Sequence, residues 1–498
     1  MKKMAAIITA CAAALSLCGC GKSGFVPDEG MVSSTESGKV ITSVTEITKT
    51  SGNPILSEIF CADPTAVEYN GRLYVYGTND HQQYEAVGAD GKNTYEHIKS
   101  LVMISTDDMV NWTYHGTIKV DEVAPWIIAS WAPSITSRVE EDGLTHFYLY
   151  FSNSGWGTGV ITATSPTGPW SDPLGHSLID GNTEGLNGCE SPFDPGVLID
   201  DEGTGWLSFG GGENGARIVR LGSDMLSLDS EIAVIPTQNH FEASELNYIN
   251  GTYVYTENND WASRLMWKNG DKLAPPKCSM DYLTTKTPLD PDSWEYRDYY
   301  FSNPGDEGLE YSNNHTHLQK FAGKWYLFYH SLFPQSALGT KGGFRSLCVG
   351  EASVDEETVT IGRVTPSRDG ASQIKNVDAY SLSQAETAYL TAGIKYDDLG
   401  GGNMAAYTEL SDGKGAVICV KGVDFGEGAA AFAADICGTG RVDVYLDGIN
   451  GVVYSSVQCN SDEYAKVWAE MAADNAGVHD VYFLISDGVK FDSWQFYK

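Results

Sequence analysis

Three carboxylic acids in this 498-residue chain stand where acid–base chemistry could use them. Asp63 opens the run Asp63-Pro-Thr-Ala-Val-Glu-Tyr, Asp194 opens Asp194-Pro-Gly-Val-Leu-Ile, and Glu242 opens Glu242-Ala-Ser-Glu-Leu-Asn-Tyr. Two carboxyl groups facing each other across a pocket are the minimum apparatus for cleaving a glycosidic bond. One is protonated and donates to the leaving oxygen; the other is ionised and activates water. A third carboxylate beside the acid raises its pKa by like-charge repulsion. Glutamate suits the acid role, since its ordinary pKa lies slightly above that of aspartate. Either aspartate alone reads equally well as a turn starter before proline. What argues against that reading is a repeat that carries all three.

Each run precedes a glycine-containing turn and an aromatic-rich strand, and the pattern occurs five times. The turns begin at Gly71, Gly143, Gly203, Gly251 and Gly323, and the remaining two preceding runs start at Trp131 and His315. A two-strand signal recurring every 48 to 72 residues is what a five-bladed propeller writes. If these runs are the innermost strands, then Asp63, Trp131, Asp194, Glu242 and His315 occupy one register and converge at the mouth of an axial channel. Downstream, residues 379–498 alternate apolar and polar positions in short runs broken by glycine turns, as in Ala416-Val-Ile-Cys-Val and Asp480-Val-Tyr-Phe-Leu-Ile, which is a β-sandwich pattern. The fold class expected is therefore all-β: a propeller over 53–378, then a sandwich.

The N-terminus combines two lysines, an apolar run from Ala5 to Leu17, and Leu17-Cys-Gly-Cys20. This resembles a bacterial lipoprotein signal (residues 1–20) in which Cys20 is lipidated, so the expected location is the cell surface, with membrane contact only through the anchor. A plain secretory signal is the alternative. Residues 21–52, rich in Ser, Thr, Gly and Lys, read as a flexible tether. A formal charge of −34 argues against nucleic acid and anionic surfaces as partners. Seven cysteines follow Cys20, too odd a number to pair fully and without metal-site spacing, so they read as buried small hydrophobes.

The segments Ala62-Asp63-Pro-Thr, Ser130-Trp131-Ala-Pro, Phe193-Asp194-Pro-Gly-Val-Leu-Ile-Asp-Asp-Glu-Gly, Phe241-Glu242-Ala-Ser, Asn313-Asn-His315 and Gly323-Lys-Trp-Tyr-Leu-Phe-Tyr-His together resemble glycoside hydrolase family 43. The resemblance implies a five-bladed propeller of inverting enzymes acting on arabinose- and xylose-containing plant polysaccharides. It makes Asp63 the general base, Asp194 the pKa modulator and Glu242 the general acid, with Glu245 the local competitor for the acid. It further implies Trp131 as a sugar platform, Arg345 reaching toward the carboxylates, and His315 on the axis, where a calcium ion is often bound.

The C-terminal part, through Gln384-Ala-Glu386-Thr, Gly477-Val-His-Asp-Val-Tyr-Phe-Leu and Phe491-Asp492-Ser-Trp494, resembles carbohydrate-binding module family 6, which implies Glu386 and Asp492 as ligands of a structural calcium. Ser493 stands where that family usually has an aromatic residue, leaving Tyr464 and Trp494 as sugar-platform candidates. The activity expected is release of arabinofuranosyl units from arabinoxylan, with β-xylosidase action and non-catalytic glycan binding as alternatives; no cofactor is required for the chemistry. Specificity is expected to reside in three long loops, Asp80 to Lys99, Asn153 to Gly188 and Asn259 to Asn303.

Overall fold

The computed structural model describes residues 25–263 and 274–498. The proposed signal and Cys20 lie outside the described residues. The chain divides into two compact units, one centred on residues 48–374 and one containing residues up to 47 together with most of 375–498.

The first unit is a five-bladed propeller. Blade one comprises Ala62–Tyr69, Arg72–Thr78, Ser100–Thr106 and Trp112–Lys119, and blade two Trp131–Val139, Thr145–Ser152, Gly157–Ala163 and Ile179–Asp180. Blade three runs from Gly196–Ile199 to Ala233–Val234, blade four from His240–Ile249 to Glu295–Phe301, and blade five from Thr316–Phe321 to Ser346–Ala352. Within each blade the strands are antiparallel and sequential, as hairpin connections demand.

The repeated turn signal has a simple cause in three blades. Asn70-Gly71, Asn250-Gly251 and Ala322-Gly323 each place two consecutive residues at positive φ, joining strands paired at Tyr69–Arg72, Ile249–Thr252 and Phe321–Lys324. That is the two-residue hairpin whose twist matches the strands. Aromatic and aliphatic side chains on the strands then fill five separate apolar clusters, one between each pair of neighbouring blades, including the pair formed by blades five and one. The ring is closed by residues preceding blade one. Ile55 N–H donates to Leu347 O (2.8 Å), and the Asn53 side chain both donates to and accepts from Val349 backbone on the outer strand of blade five.

Two of the stretches expected to be long loops carry blade strands, Gly157–Ala163 in one and Met280–Thr285 with Glu295–Phe301 in the other. The third begins with a short helix, Asp80–Val87, capped by the Asn79 side chain on Gln82 N–H.

The second unit is a β-sandwich. Its 16-residue strand Ala431–Leu446 pairs over its first half with Val489–Tyr497 and over its second with Val478–Ile485, bending at Gly438 (φ 93°). Trp494, Phe483, Phe432 and Phe496 pack in the core beneath. Residues expected to form a flexible tether instead belong to this unit: Val32–Ser33 pairs in parallel with Val467–Trp468, and Ser43–Val44 with Lys414–Gly415. Backbone pairing needs no apolar side chains, so the polar composition did not reveal it. All seven cysteines among the described residues are unbonded and buried.

Candidate functional site

Four of the five innermost strands open with the same device. Asp63, Ala132, Asp194 and Ala243 all hold positive φ (48°, 38°, 50° and 63°), and the ladder slips between Ala62 and Thr65, Trp131 and Ser134, and Glu242 and Glu245. Such β-bulges bend a strand and re-aim its side chains; non-glycine residues in this conformation cost about 1–3 kcal/mol each. The bulges correct the expected single register. Asp63 and Asp194 occupy the strained position itself, whereas Trp131 and Glu242 stand one residue before it.

The structure brings Asp63, Asp194, Glu242, His315 and Arg345 together. Asp63 is buried; its Oδ2 accepts from Thr78 Oγ1 (2.7 Å) and its Oδ1 from Arg345 Nη1 (2.8 Å). Its backbone N–H donates to His330 Nδ1 (3.3 Å), whose Nε2 donates to Asn313 O (2.8 Å), so His330 is held as the neutral Nε2–H tautomer. His315 Nδ1 lies 3.6 Å from Asp63 Oδ1. Burial alone would raise the Asp63 pKa. The Arg345 charge foremost, with the His330 and His315 imidazoles and the Thr78 hydrogen bond, outweighs it and holds the carboxyl at about 2.

Asp194 is buried and accepts from Ala243 N–H (3.0 Å) and Ser152 Oγ (3.2 Å), while Ser244 Oγ donates to its backbone oxygen. Burial, then the charge of Glu242 and then that of Asp63 push its pKa well above the ordinary carboxyl value. Glu242 is half-buried at the channel wall, accepting from Asn313 Nδ2 (3.1 Å). Its pKa is raised as well, by burial and by Asp63, against the opposing Asn313 hydrogen bond. The arrangement therefore contains one carboxylate ionised at any working pH and a neighbouring pair that retains a proton. That is the division of labour an acid–base cleavage needs.

Arg345 does more than reach toward the carboxylates. Its Nε and Nη2 form a fork onto Asp80 (3.0 and 2.9 Å), its backbone N–H donates to the same carboxylate (2.9 Å), and Nη1 is left for Asp63. Tyr95 lies under its guanidinium, 4.9 Å from ring centre, and accepts from Trp131 Nε1 through its backbone oxygen (3.3 Å). Trp131 is half-buried against the Tyr95 ring. Asp80 and Tyr95 carried no signal in sequence, because both lie in the insertion after Thr78 that has no counterpart in the repeat. Asn313 sat inside a recognised motif without an assigned role.

Glu245, the competitor for the acid role, lies one layer further down the axis. It is buried between His317 Nδ1 (3.2 Å) and Ser134 Oγ (3.4 Å). For a metal, the donor set is sparse: among the described residues no group of three or more His, Cys, Asp and Glu stands together as a cage. His315 Nε2 is nevertheless buried without a hydrogen-bond partner, which fits a water or an ion held largely by water. In the sandwich, Glu386 is buried and accepts from Met404 N–H (3.1 Å), and Asp492 lies on the strand Val489–Tyr497. Trp494 is a core residue, 1 % exposed, which removes it as a sugar platform; Tyr464 stays exposed.

Residues 51–353 match the glycosyl hydrolases family 43. The chain is 34 % identical over 482 residues to an arabinoxylan arabinofuranohydrolase of Bacillus subtilis, covering 89 % of this chain and 92 % of that one. It is 31 % identical over 479 residues to an arabinoxylan arabinofuranohydrolase of Paenibacillus polymyxa, covering 89 % and 74 %. A crystal structure of a family 43 arabinoxylan arabinofuranohydrolase from Bacillus subtilis in complex with cellotetraose superposes with a TM-score of 0.82 at 32 % identity, over 93 % of this chain and 100 % of that one.

Proposed function

The chain belongs to glycosyl hydrolase family 43, and from that premise we propose that it releases α-L-arabinofuranosyl units from arabinoxylan with inversion of the anomeric centre. Asp63 acts as general base on the attacking water, Glu242 as general acid on the leaving oxygen, and Asp194 keeps Glu242 protonated. The observation that carries this reading is the opposed electrostatics of the three carboxyls: Asp63 held at about 2, Asp194 and Glu242 pushed up together. Trp131 forms a wall of the sugar pocket, and Arg345, clamped by Asp80, orients Asp63. The relatives over nearly the whole chain support arabinose rather than xylose as the unit released.

The test is to treat arabinoxylan, arabinan and xylo-oligosaccharides with the enzyme and identify the sugar released, following its first-formed anomer by NMR. Arabinose of inverted configuration is expected, since base and acid in such enzymes stand about 6.5–9.5 Å apart with water between. A retained anomer would overturn the roles; xylose alone would move the assignment to a β-xylosidase.

Three further assignments belong to the same reading. Cys20 is the lipidated residue of a surface lipoprotein, and Cys20→Ala should move the protein out of the membrane fraction. The sandwich is a family 6-like module in which Glu386 and Asp492 would hold a structural calcium and the exposed Tyr464 is the platform candidate that remains. On the propeller axis His315 Nε2 supplies the one protein ligand to a largely hydrated calcium ion; the ion would stabilise the channel and takes no part in proton transfer.

A further inference from the structure

The residues on either side of Glu242 are tied to blade three. Gly212, in the turn after the blade-three strand Gly205–Phe209, donates its N–H to Phe241 O (2.9 Å). Ala243 N–H and Ser244 Oγ donate to Asp194. His240 completes the set: its Nε2 donates to Gly210 O (2.8 Å), and its Nδ1 lies 2.8 Å from Glu257 Oε2. His240 and Glu257 are each only 1 % exposed, and neither has a part in the proton transfers described above. Gly210 holds φ 122°, and a Cβ there would stand 2.0 Å from Gly215 O, so its carbonyl sits on a backbone path open to glycine alone.

The protonation of this pair follows from its partners. A carbonyl only accepts, so Nε2 carries a hydrogen. A carboxylate oxygen 2.8 Å from a bare Nδ1 would set lone pair against lone pair, so one further proton lies between Nδ1 and Oε2. The pair is neutral as a whole, which suits its surroundings. Glu257 stands across the ladder from buried Asp281, whose carboxyl accepts from Asn259 Nδ2 (2.9 Å), Ser279 Oγ (3.2 Å) and Tyr296 Oη (3.2 Å). Burial raises the Glu257 pKa against the pull of His240, and burial followed by the Glu257 charge pushes Asp281 up to about 8.

The ladder alone cannot aim Glu242, because its register slips both before and after that residue, and a bulge gives up the local pairing that would fix a side chain. We propose that His240, backed by Glu257, is the positioning residue of the general acid: the pair pins the first bulge to blade three and so directs the Glu242 carboxyl at the leaving oxygen. Hydrogen bonds on both ring nitrogens lock the imidazole in one orientation, and the bulged backbone inherits it. This inference rests on the proposed role of Glu242 and adds the device that aims it.

Acid catalysis offers a readout that a merely structural pair would not move. A nitrophenolate departs without a proton, whereas the sugar hydroxyl released from arabinoxylan needs one. The experiment measures kcat on arabinoxylan and on 4-nitrophenyl α-L-arabinofuranoside for the wild type, Glu242→Gln, Glu257→Gln, His240→Asn and the double variant His240→Leu/Glu257→Leu. In the double variant kcat on arabinoxylan should fall by about tenfold to a hundredfold, the scale of a small misplacement, and by less than about threefold on the aryl glycoside. Its melting temperature should stay close to that of the wild type, since exchanging both members of a buried pair for apolar groups is nearly neutral. His240→Asn keeps a partner for Glu257 but releases Gly210 O, and should show the same split without relying on the double variant to fold. Glu257→Gln should stay within about threefold on both substrates, because its amide N–H can donate to Nδ1 of the neutral imidazole. Equal losses on the two substrates in the double variant and His240→Asn, with the split present in Glu242→Gln, would overturn the positioning role alone. So would a Glu257→Gln as impaired as the double variant. A Glu242→Gln without any split would remove Glu242 as the acid, and the proposed roles would fall with it.

Discussion

Glu242 and Glu245 lie three residues apart on one strand, as His315 and His317 lie two apart where another begins, yet the two layers they form behave in opposite ways. In the lower layer each group has its own partner. Glu245 faces His317 and Ser134, and His317 spends its second nitrogen on Gln319 (3.1 Å). Burial opposes the His317 charge, but Glu245 overrides it and the imidazole pKa is raised. In the upper layer Arg345 is divided between Asp80 and Asp63, while Asp194 and Glu242 have only neutral donors. The residue types are the same. What separates a structural carboxylate from a chemical one here is whether its charge has been given a counter-charge of its own.

Removing the two groups proposed to transfer protons should produce the largest effect. Glu242→Gln and Asp63→Asn should each lower kcat by at least about two orders of magnitude with the circular dichroism spectrum unchanged; near-normal turnover in either would dissolve the distinction between the layers. Next comes the pH profile. Arg345→Gln removes the cation that holds Asp63 at about 2, so the acidic limb of kcat/KM should move to higher pH. Asp194→Asn removes a negative neighbour of Glu242, so the alkaline limb should move to lower pH.

In the lower layer the readout changes from rate to stability. Glycine at 196 places no side chain where a Cβ would stand 2.6 Å from both Glu245 Cα and Ser208 Oγ, so Gly196→Ala should cost about 1–3 kcal/mol by overpacking. Glu245→Gln should be the mildest, about 1 kcal/mol, with the pH profile of catalysis unmoved. Its sign is fixed by linkage. His317 has a folded pKa above its ordinary value, so the pair stabilises fully below about pH 6.5 and fades as pH rises through the folded pKa. The melting-temperature gap between wild type and Glu245→Gln should therefore narrow toward alkaline pH; a gap that widens would mean the histidine is not the partner.

Much of this was legible in the residues because hairpin chemistry is local. Asn70-Gly71 and Asn250-Gly251 announce their turns, and the strands on either side follow. The exact alignment of Trp131 and Glu242 was not legible, since a bulge inserts a residue that two-residue periodicity cannot detect. Asp80 and Tyr95 reach the site from a unique insertion, where no repeat exists to compare. Trp494 looked like a platform because an aromatic on an alternating strand can face either way; only the packing of Phe483 and Phe496 decides it.

The two short parallel pairings made by residues 32–33 and 43–44 have a consequence for the order in which the chain can assemble. They cover short open stretches at the edges of strands Ser455–Glu470 and Lys414–Asp424, which a sheet must protect. Thr42 meets Gly413, 371 residues later, so during synthesis the first-made part of the sandwich waits for the last. At ribosomal speeds of about 5–20 residues per second, that wait is on the order of 20–75 s. The propeller, contiguous in sequence, has that interval to close before its neighbour does. For the same reason, residues 379–498 cut out alone would carry two unprotected strand edges into solution.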